Sequence, residues 1–130
     1  MVRALPLIQS LWIGERLTAL ERLSLASFVG HGHPVDLYTY GPVAGVPPGV
    51  RVQDAAAVVP ASAIFRYGPE SGGGDGSLAG FANLFRYTLL AERGGWWVDT
   101  DVVCLRPLDL VAAHCFGWQE RAQSVDEFEW

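Results

Sequence analysis

Leu5 to Ile13 is short and apolar and is closed by Gly14, which predicts a buried first strand. Leu17, Leu20, Leu23 and Ala26 then step by three, with Glu15, Arg16, Glu21 and Arg22 between them. That spacing predicts an amphipathic helix running to about Val29 and stopped at Gly30. His31-Gly32-His33-Pro34 reads as the turn out of it, and Val35 to Tyr40 as a second strand. Strand, helix and strand in this order point to a right-handed crossover and a parallel sheet.

Gly41 to Gly49 is rich in proline and glycine and reads as loop, and Val50-Arg51-Val52 as a brief third strand. Ala55 to Phe65 has no clear period and is broken at Pro60. Tyr67 to Gly80 centres on Ser71-Gly72-Gly73-Gly74-Asp75-Gly76-Ser77. It carries neither the Gly-Lys-Ser/Thr of a phosphate loop nor a Gly-x-Gly-x-x-Gly between strand and helix, so a surface loop is expected. Leu78 to Arg93 gives the clearest helix, with Phe81, Leu84, Phe85, Thr88 and Leu89 on one face and Gly94-Gly95 at its end. Trp96-Trp97-Val98 predicts a buried strand that delivers Asp99-Thr100-Asp101. Val102 to Leu105 continues apolar, Arg106-Pro107 turns, and Cys115 to Trp118 reads as one more strand before a polar, acidic tail. The whole predicts one α/β domain over residues 1–130, a mainly parallel sheet flanked by helices.

The composition narrows the function. At 130 residues, 50% hydrophobic and 18% charged, the chain has the make-up of one globular domain. A net charge of -5 argues against nucleic acid as the main partner, because phosphate backbones are held by basic surfaces. No Lys occurs, so every basic side chain is Arg. Cys104 and Cys115 could pair or stay reduced, and the reading adopted is two buried thiols in a reducing compartment. Gln9 and Ser10 interrupt the first apolar stretch before it reaches signal-peptide length. No run approaches the ~20 apolar residues of a membrane helix. The expected location is cytoplasmic.

Asp99 and Asp101 carry the main chemical signal. Residues two apart in extended backbone point to one side, so both carboxylates can address one ligand. In α/β folds ligands gather at the carboxyl ends of strands, where this pair falls. Hard carboxylate oxygens suit Mg²⁺ or Mn²⁺ bridged to substrate phosphates. On the preceding helix Asn83 and Arg86 stand about 60° apart at ~100° per residue, opposite Phe81 and Phe85. They form either a solvated polar face or a pair that hydrogen-bonds a polyhydroxylated or phosphorylated ligand. Trp12, at the end of the first strand, suits either core packing or stacking on a flat base. His31 and His33 lie in a Gly/Pro turn without a nearby Cys, and a solvated loop is expected there.

Leu11-Trp12-Ile13-Gly14, Phe81-Ala82-Asn83-Leu84-Phe85-Arg86-Tyr87 and Gly94-Gly95-Trp96-Trp97-Val98-Asp99-Thr100-Asp101-Val102 together resemble the glycosyltransferases with a DXD-containing sugar-binding region. That group includes retaining mannosyl- and galactosyltransferases of the GT-A type, and the glucosylating domains of clostridial toxins are distant relatives. The resemblance implies a GT-A, Rossmann-like nucleotide-sugar-binding fold and transfer from a UDP- or GDP-sugar to a glycan, lipid-linked or protein acceptor. It also implies a Mn²⁺ or Mg²⁺ cofactor and admits peripheral association with a membrane. It assigns Trp12, Ile13, Gly14, Asn83, Arg86 and Asp99 to the donor, with Trp12 on the base. Asp101 with Asp99 falls to the metal, and Asp99, Asp101 and Arg86 to catalysis. Relatives frequently have Asp at position 83, where this chain has Asn. The family's catalytic domain is longer, so the chain reads as its donor-binding half, apparently truncated at the C-terminus.

Two other classes fit parts of the pattern. A non-catalytic nucleotide-sugar-binding fragment shares every donor motif. A phosphatase of the haloacid dehalogenase type also ends an apolar strand in Asp-x-Asp, using the first Asp as nucleophile and the second as general acid. That family places the motif early in its domain and uses a later Lys, which this chain lacks.

Overall fold

The structure, a computed structural model, describes residues 4–70 and 74–117. Its elements in chain order are β1 (Ile8–Trp12), α1 (Ala19–Gly30), β2 (Val35–Thr39), β3 (Val50–Asp54), α2 (Ala79–Arg93) and β4 (Trp96–Trp97), with short 3-10 turns at Ala55–Ala57 and Ala61–Ala63. The strands form one four-stranded sheet in the order β3-β2-β1-β4. Every pairing is parallel, with Ile8 opposite Val35 and Trp96, and Val35 opposite Val50. The small α/β domain expected from the strand–helix–strand pattern is therefore present, and its arrangement is consistent with a Rossmann-like GT-A fold.

Side-chain alternation along β1 sorts the core into two layers. Ile8 joins Leu17, Leu25, Phe28, Val35, Leu37 and Cys104 on the α1 face. Leu11 and Ile13 pack with Tyr38, Phe81, Phe85 and Leu89 on the α2 face. Helices thus cover both faces, and β2 is buried along its whole length, as a central parallel strand requires. Asp36 on β2 is also buried, and it receives Arg51 Nε of β3 at 2.7 Å, its register partner. This pair meets the cost of placing a carboxylate in the sheet.

The helix ends follow local chemistry. Thr18 caps α1, and the Glu21 carboxylate reaches back to accept from the Thr18 backbone N–H at 2.7 Å and from its hydroxyl. The Thr18 bonds hold the Glu21 carboxyl below its usual range. Ser77 Oγ accepts from Ala79 N–H at 3.1 Å at the start of α2. Gly94 ends α2 with φ 66° and ψ −154°, a region essentially reserved for glycine.

Several expectations are corrected. The first strand is shorter than Leu5–Ile13, because Leu5 to Leu7 lead in without forming strand. The buried face of α1 is Ser24, Leu25 and Phe28, whereas Leu20 and Leu23 are 47% and 55% exposed. A step of three falls behind the 3.6-residue turn and drifts around the helix. Leu84 of α2 is likewise exposed, while Phe81, Phe85 and Leu89, at strict intervals of four, are buried. The buried strand expected over Trp96-Trp97-Val98 is the two-residue β4 with both tryptophans half-buried, and the chain beyond it turns at Thr100-Asp101 with Val102 N–H bonded to Asp99 O at 3.1 Å. Cys115 to Gly117 forms no strand, and Trp118 lies outside the described residues. Cys104 is buried as expected, but Cys115 is exposed.

His33 is not solvated. It is 4% exposed, with Nδ1 3.0 Å from Pro6 O and Nε2 accepting from Leu108 N–H at 3.0 Å. It joins the lead into β1 to the chain beyond Asp101. No helix among the described residues is long and apolar enough to cross a membrane.

Candidate functional site

From β1 the chain adds β2 and then β3 to one side, and returns to place β4 on the other side of β1. The order therefore reverses between β1 and β4. Open parallel sheets bind ligands in the crevice outside the strand carboxyl ends at such a point. Trp12 ends β1 and Asp99 follows β4 with one residue between, so both leave the sheet at this crevice.

A pocket of about 220 Å³ opens there. Its wall brings together Trp12 at the end of β1 and Ile13 just after it, Leu78 at the N-cap of α2 and Ala82 in its first turn, and Val98, Asp99 and Thr100 from beyond β4. The volume is below the ~300–1,000 Å³ of whole small-molecule sites, so it holds part of a ligand the size of a nucleotide sugar. A larger hollow of about 330 Å³ lies under Val102 to Arg106, between Phe28 and Trp96. It shares Trp97 and Val98 with the first pocket, but neither Trp12, Asp99 nor Asp101 lines it.

The Gly94-Gly95 turn sets the position of β4. Gly95 has φ 90°, and a Cβ there would overlap the Gln9 side-chain amide nitrogen. Buried Gln9 uses that amide to donate to Gly94 O at 2.8 Å, and its Oε1 accepts from Tyr38 O–H at 3.4 Å. Trp96 N–H then bonds Leu7 O at 3.0 Å and Val98 N–H bonds Gln9 O at 3.1 Å, which carries the ladder to the residue before Asp99.

Asp99 is exposed, and its Oδ1 accepts from Trp97 Nε1–H at 2.9 Å. The Trp97 ring meanwhile packs 6.2 Å from Phe85. In the sequence Trp97 reads only as part of the strand, yet the signal for its contact with Asp99 exists: it stands two residues before Asp99, on the same side of an extended chain. Asp101 is exposed on the turn and does not line the pocket. Trp12 is half-buried, and its indole N–H is enclosed without a hydrogen-bond partner among the described residues. Gly14 sits against it, and a Cβ on Gly14 would lie 3.1 Å from that nitrogen.

Asn83 and Arg86 lie together but outside the pocket wall. Arg86 Nη2 donates to Asn83 Oδ1 at 3.0 Å and to Tyr87 Oη at 3.3 Å, and its guanidinium lies 4.9 Å from the Tyr87 ring centre. On the α2 face of the sheet, Tyr40 packs near Phe81 and Phe85 and donates to Val59 O at 2.7 Å. Burial first and the Asp54 charge second push its phenol up.

Among the described residues no cluster of three or more His, Cys, Asp or Glu forms a closed metal cage. The donor set nonetheless fits Mg²⁺ or Mn²⁺. Such ions keep several waters and take one or two protein carboxylates alongside substrate phosphates. Asp99 and Asp101 are both open to solvent, and a turn at Thr100-Asp101 stands where extended backbone was expected to point them to one side.

Residues 77–117 match the family described as glycosyltransferase sugar-binding region containing DXD motif. The matched stretch spans α2, the Gly-Gly turn, β4 and both aspartates. No curated protein and no solved structure matches the chain.

Proposed function

We propose that this chain binds a nucleotide-sugar donor and takes part in metal-dependent transfer of its sugar, with retention of anomeric configuration. The observation that carries the reading is the position of Asp99 at the strand-order reversal, inside the stretch with the DXD family match. A UDP- or GDP-sugar is the donor class, and a glycan, lipid-linked or protein acceptor receives the sugar. Trp12 and Ile13 form the apolar side of the pocket, where a base stacks. Asp99, steadied by Trp97, accepts from ribose and sugar hydroxyls.

Asp101, together with Asp99, would hold the Mn²⁺ or Mg²⁺. When bound, the ion neutralises charge that develops on the nucleoside diphosphate as the anomeric C–O bond breaks. Arg86 adds a fixed positive charge on the adjoining helix; Asn83, already its hydrogen-bond partner, orients it. Asn at position 83 preserves hydrogen bonding while removing the charge an Asp would bring, which alters sugar preference.

The test is release of free sugar from UDP- and GDP-sugars in the presence of Mn²⁺, run beside a phosphate monoester. Sugar release that is lost in Asp99→Asn supports the reading. Binding without release identifies a non-catalytic donor-binding domain. Ester hydrolysis with a phosphoaspartate at Asp99 overturns the reading in favour of a phosphatase.

A further inference from the structure

The chain from Val98 to Leu108 leaves β4 without forming a strand, yet side chains from three other places hold its backbone. Ser10 Oγ of β1 donates to Val98 O at 2.7 Å. Ser24 Oγ of α1 donates to Val102 O at 2.6 Å. Ser27 Oγ, one turn further along α1, accepts from Cys104 N–H at 2.8 Å and donates to Ser24 O at 2.6 Å. Beyond these, His33 accepts from Leu108 N–H at 3.0 Å. The carbonyl just before Asp99 and the carbonyl just after Asp101 are thus each tied to a hydroxyl from a different layer, with Asp99-Thr100-Asp101 between them.

Ser10 and Ser24 are each 0% exposed. A serine in a helix face that otherwise buries Leu25 and Phe28 forgoes apolar packing, and its hydroxyl is costly unless bonded. Asp101 forms no side-chain hydrogen bond among the described residues, so its carboxylate takes its position from the backbone that carries it. The two tied carbonyls restrain the backbone on either side of both aspartates, and Trp97 holds the Asp99 carboxylate as well.

We infer that Ser10 and Ser24, with Ser27 behind Ser24, are positioning residues that hold Asp99 and Asp101 in the geometry that receives a divalent cation. The inference rests on the glycosyltransferase reading of the aspartates. Groups that orient metal ligands typically change metal affinity by about 10- to 100-fold when removed. The serines act one bond further away, through backbone, so the lower end of that range applies.

The experiment measures Mn²⁺ binding in the presence of UDP or GDP, together with amide hydrogen exchange over residues 98–104. Wild type, Ser10→Ala, Ser24→Ala, Asp101→Asn and Leu25→Val are compared. Leu25 lies on the same helix, in the core cluster that also holds Cys104, and forms no hydrogen bond to the segment, so Leu25→Val controls for lost packing without a lost hydrogen bond. Ser24→Ala is expected to weaken Mn²⁺ binding about tenfold and to speed exchange at residues 99–104. Leu25→Val, compared at equal loss of thermal stability, is expected to leave both unchanged. Should Ser24→Ala not fold, Ser27→Ala carries the same comparison at a half-buried site. Mn²⁺ affinity in the serine variants equal to that of Leu25→Val overturns the inference while a loss in Asp101→Asn leaves the donor site standing. An Asp101→Asn variant that binds Mn²⁺ as wild type does overturns both.

Discussion

Replacing Gly95 by Ala tests whether Gln9 and the Gly-Gly turn together place β4. Two costs arise at once. The backbone is held at φ 90°, which an L-side chain adopts at a strain on the order of 1–3 kcal/mol. The added Cβ also overlaps the Gln9 amide nitrogen and displaces it from Gly94 O, its acceptor at 2.8 Å. A buried amide left without its partner costs about 1–3 kcal/mol more. The sum is roughly 2–6 kcal/mol, a large share of a domain stability of about 5–15 kcal/mol.

Gly94→Ala is the reference, because its φ of 66° carries strain but nothing lies within 4 Å of its added Cβ. Its expected cost is about 1–3 kcal/mol. The assay is urea unfolding of Gly95→Ala, Gln9→Ala and the double variant. With Gln9 already truncated, Gly95→Ala loses its steric cost, so the double variant is expected to be more stable than the sum of the singles by about 1–2 kcal/mol. Additivity to within about 0.5 kcal/mol would refute the idea that Gln9 dictates glycine at this position.

His33→Ala should destabilise the fold by roughly 2–4 kcal/mol, since Pro6 O and Leu108 N–H both lose a buried partner; chemical denaturation checks this. Tyr40 should titrate above the ordinary phenol value of about 10. Because the folded state favours its neutral form, the associated stability is fully present below pH ~10 and is lost as pH rises through the folded value. Ultraviolet titration should show Asp54→Asn lowering that value only in part, as burial is the larger cause. Arg86→Ala should change thermal stability by no more than about 0.5 kcal/mol, because its partners are at the surface. The same variant should weaken donor binding by about 1.5–3 kcal/mol, with Arg86→Lys restoring it incompletely. Unchanged calorimetric affinity would return Arg86 to a solvated face.

The parts of the fold legible in the sequence are those where burial is apolar and the period is clean. Val35 to Thr39 and the Phe81, Phe85, Leu89 stripe fall in this class. The face of α1 was hidden because one of its three buried positions is Ser24, a polar residue whose partner, Val102 O, lies 78 residues away. Hydrophobic periodicity weighs a buried serine as surface, so the reading followed Leu20 and Leu23 instead. His33 misled for the same reason: its partners Pro6 and Leu108 are distant in the chain, and a histidine between glycine and proline reads as loop. Apolar Val102 and Val103 form no strand, because the turn at Thr100-Asp101 comes first. At the site, the strand exits that carry Trp12 and Asp99 were legible from local pattern. That they adjoin depends on β4 pairing with β1, a long-range choice that no local window contains. Trp97 as the partner of Asp99 was available from two-residue alternation alone.

The central claim is that Asp99 and Asp101 form a metal-assisted nucleotide-sugar site, and isothermal calorimetry of UDP and GDP with Mn²⁺ tests it most directly. The expected result is binding of one of the two nucleotides that disappears with chelator and falls at least about tenfold in Asp101→Asn, with thermal unfolding unchanged. Equal affinity with and without chelator, or in Asp101→Asn and wild type, would contradict the claim.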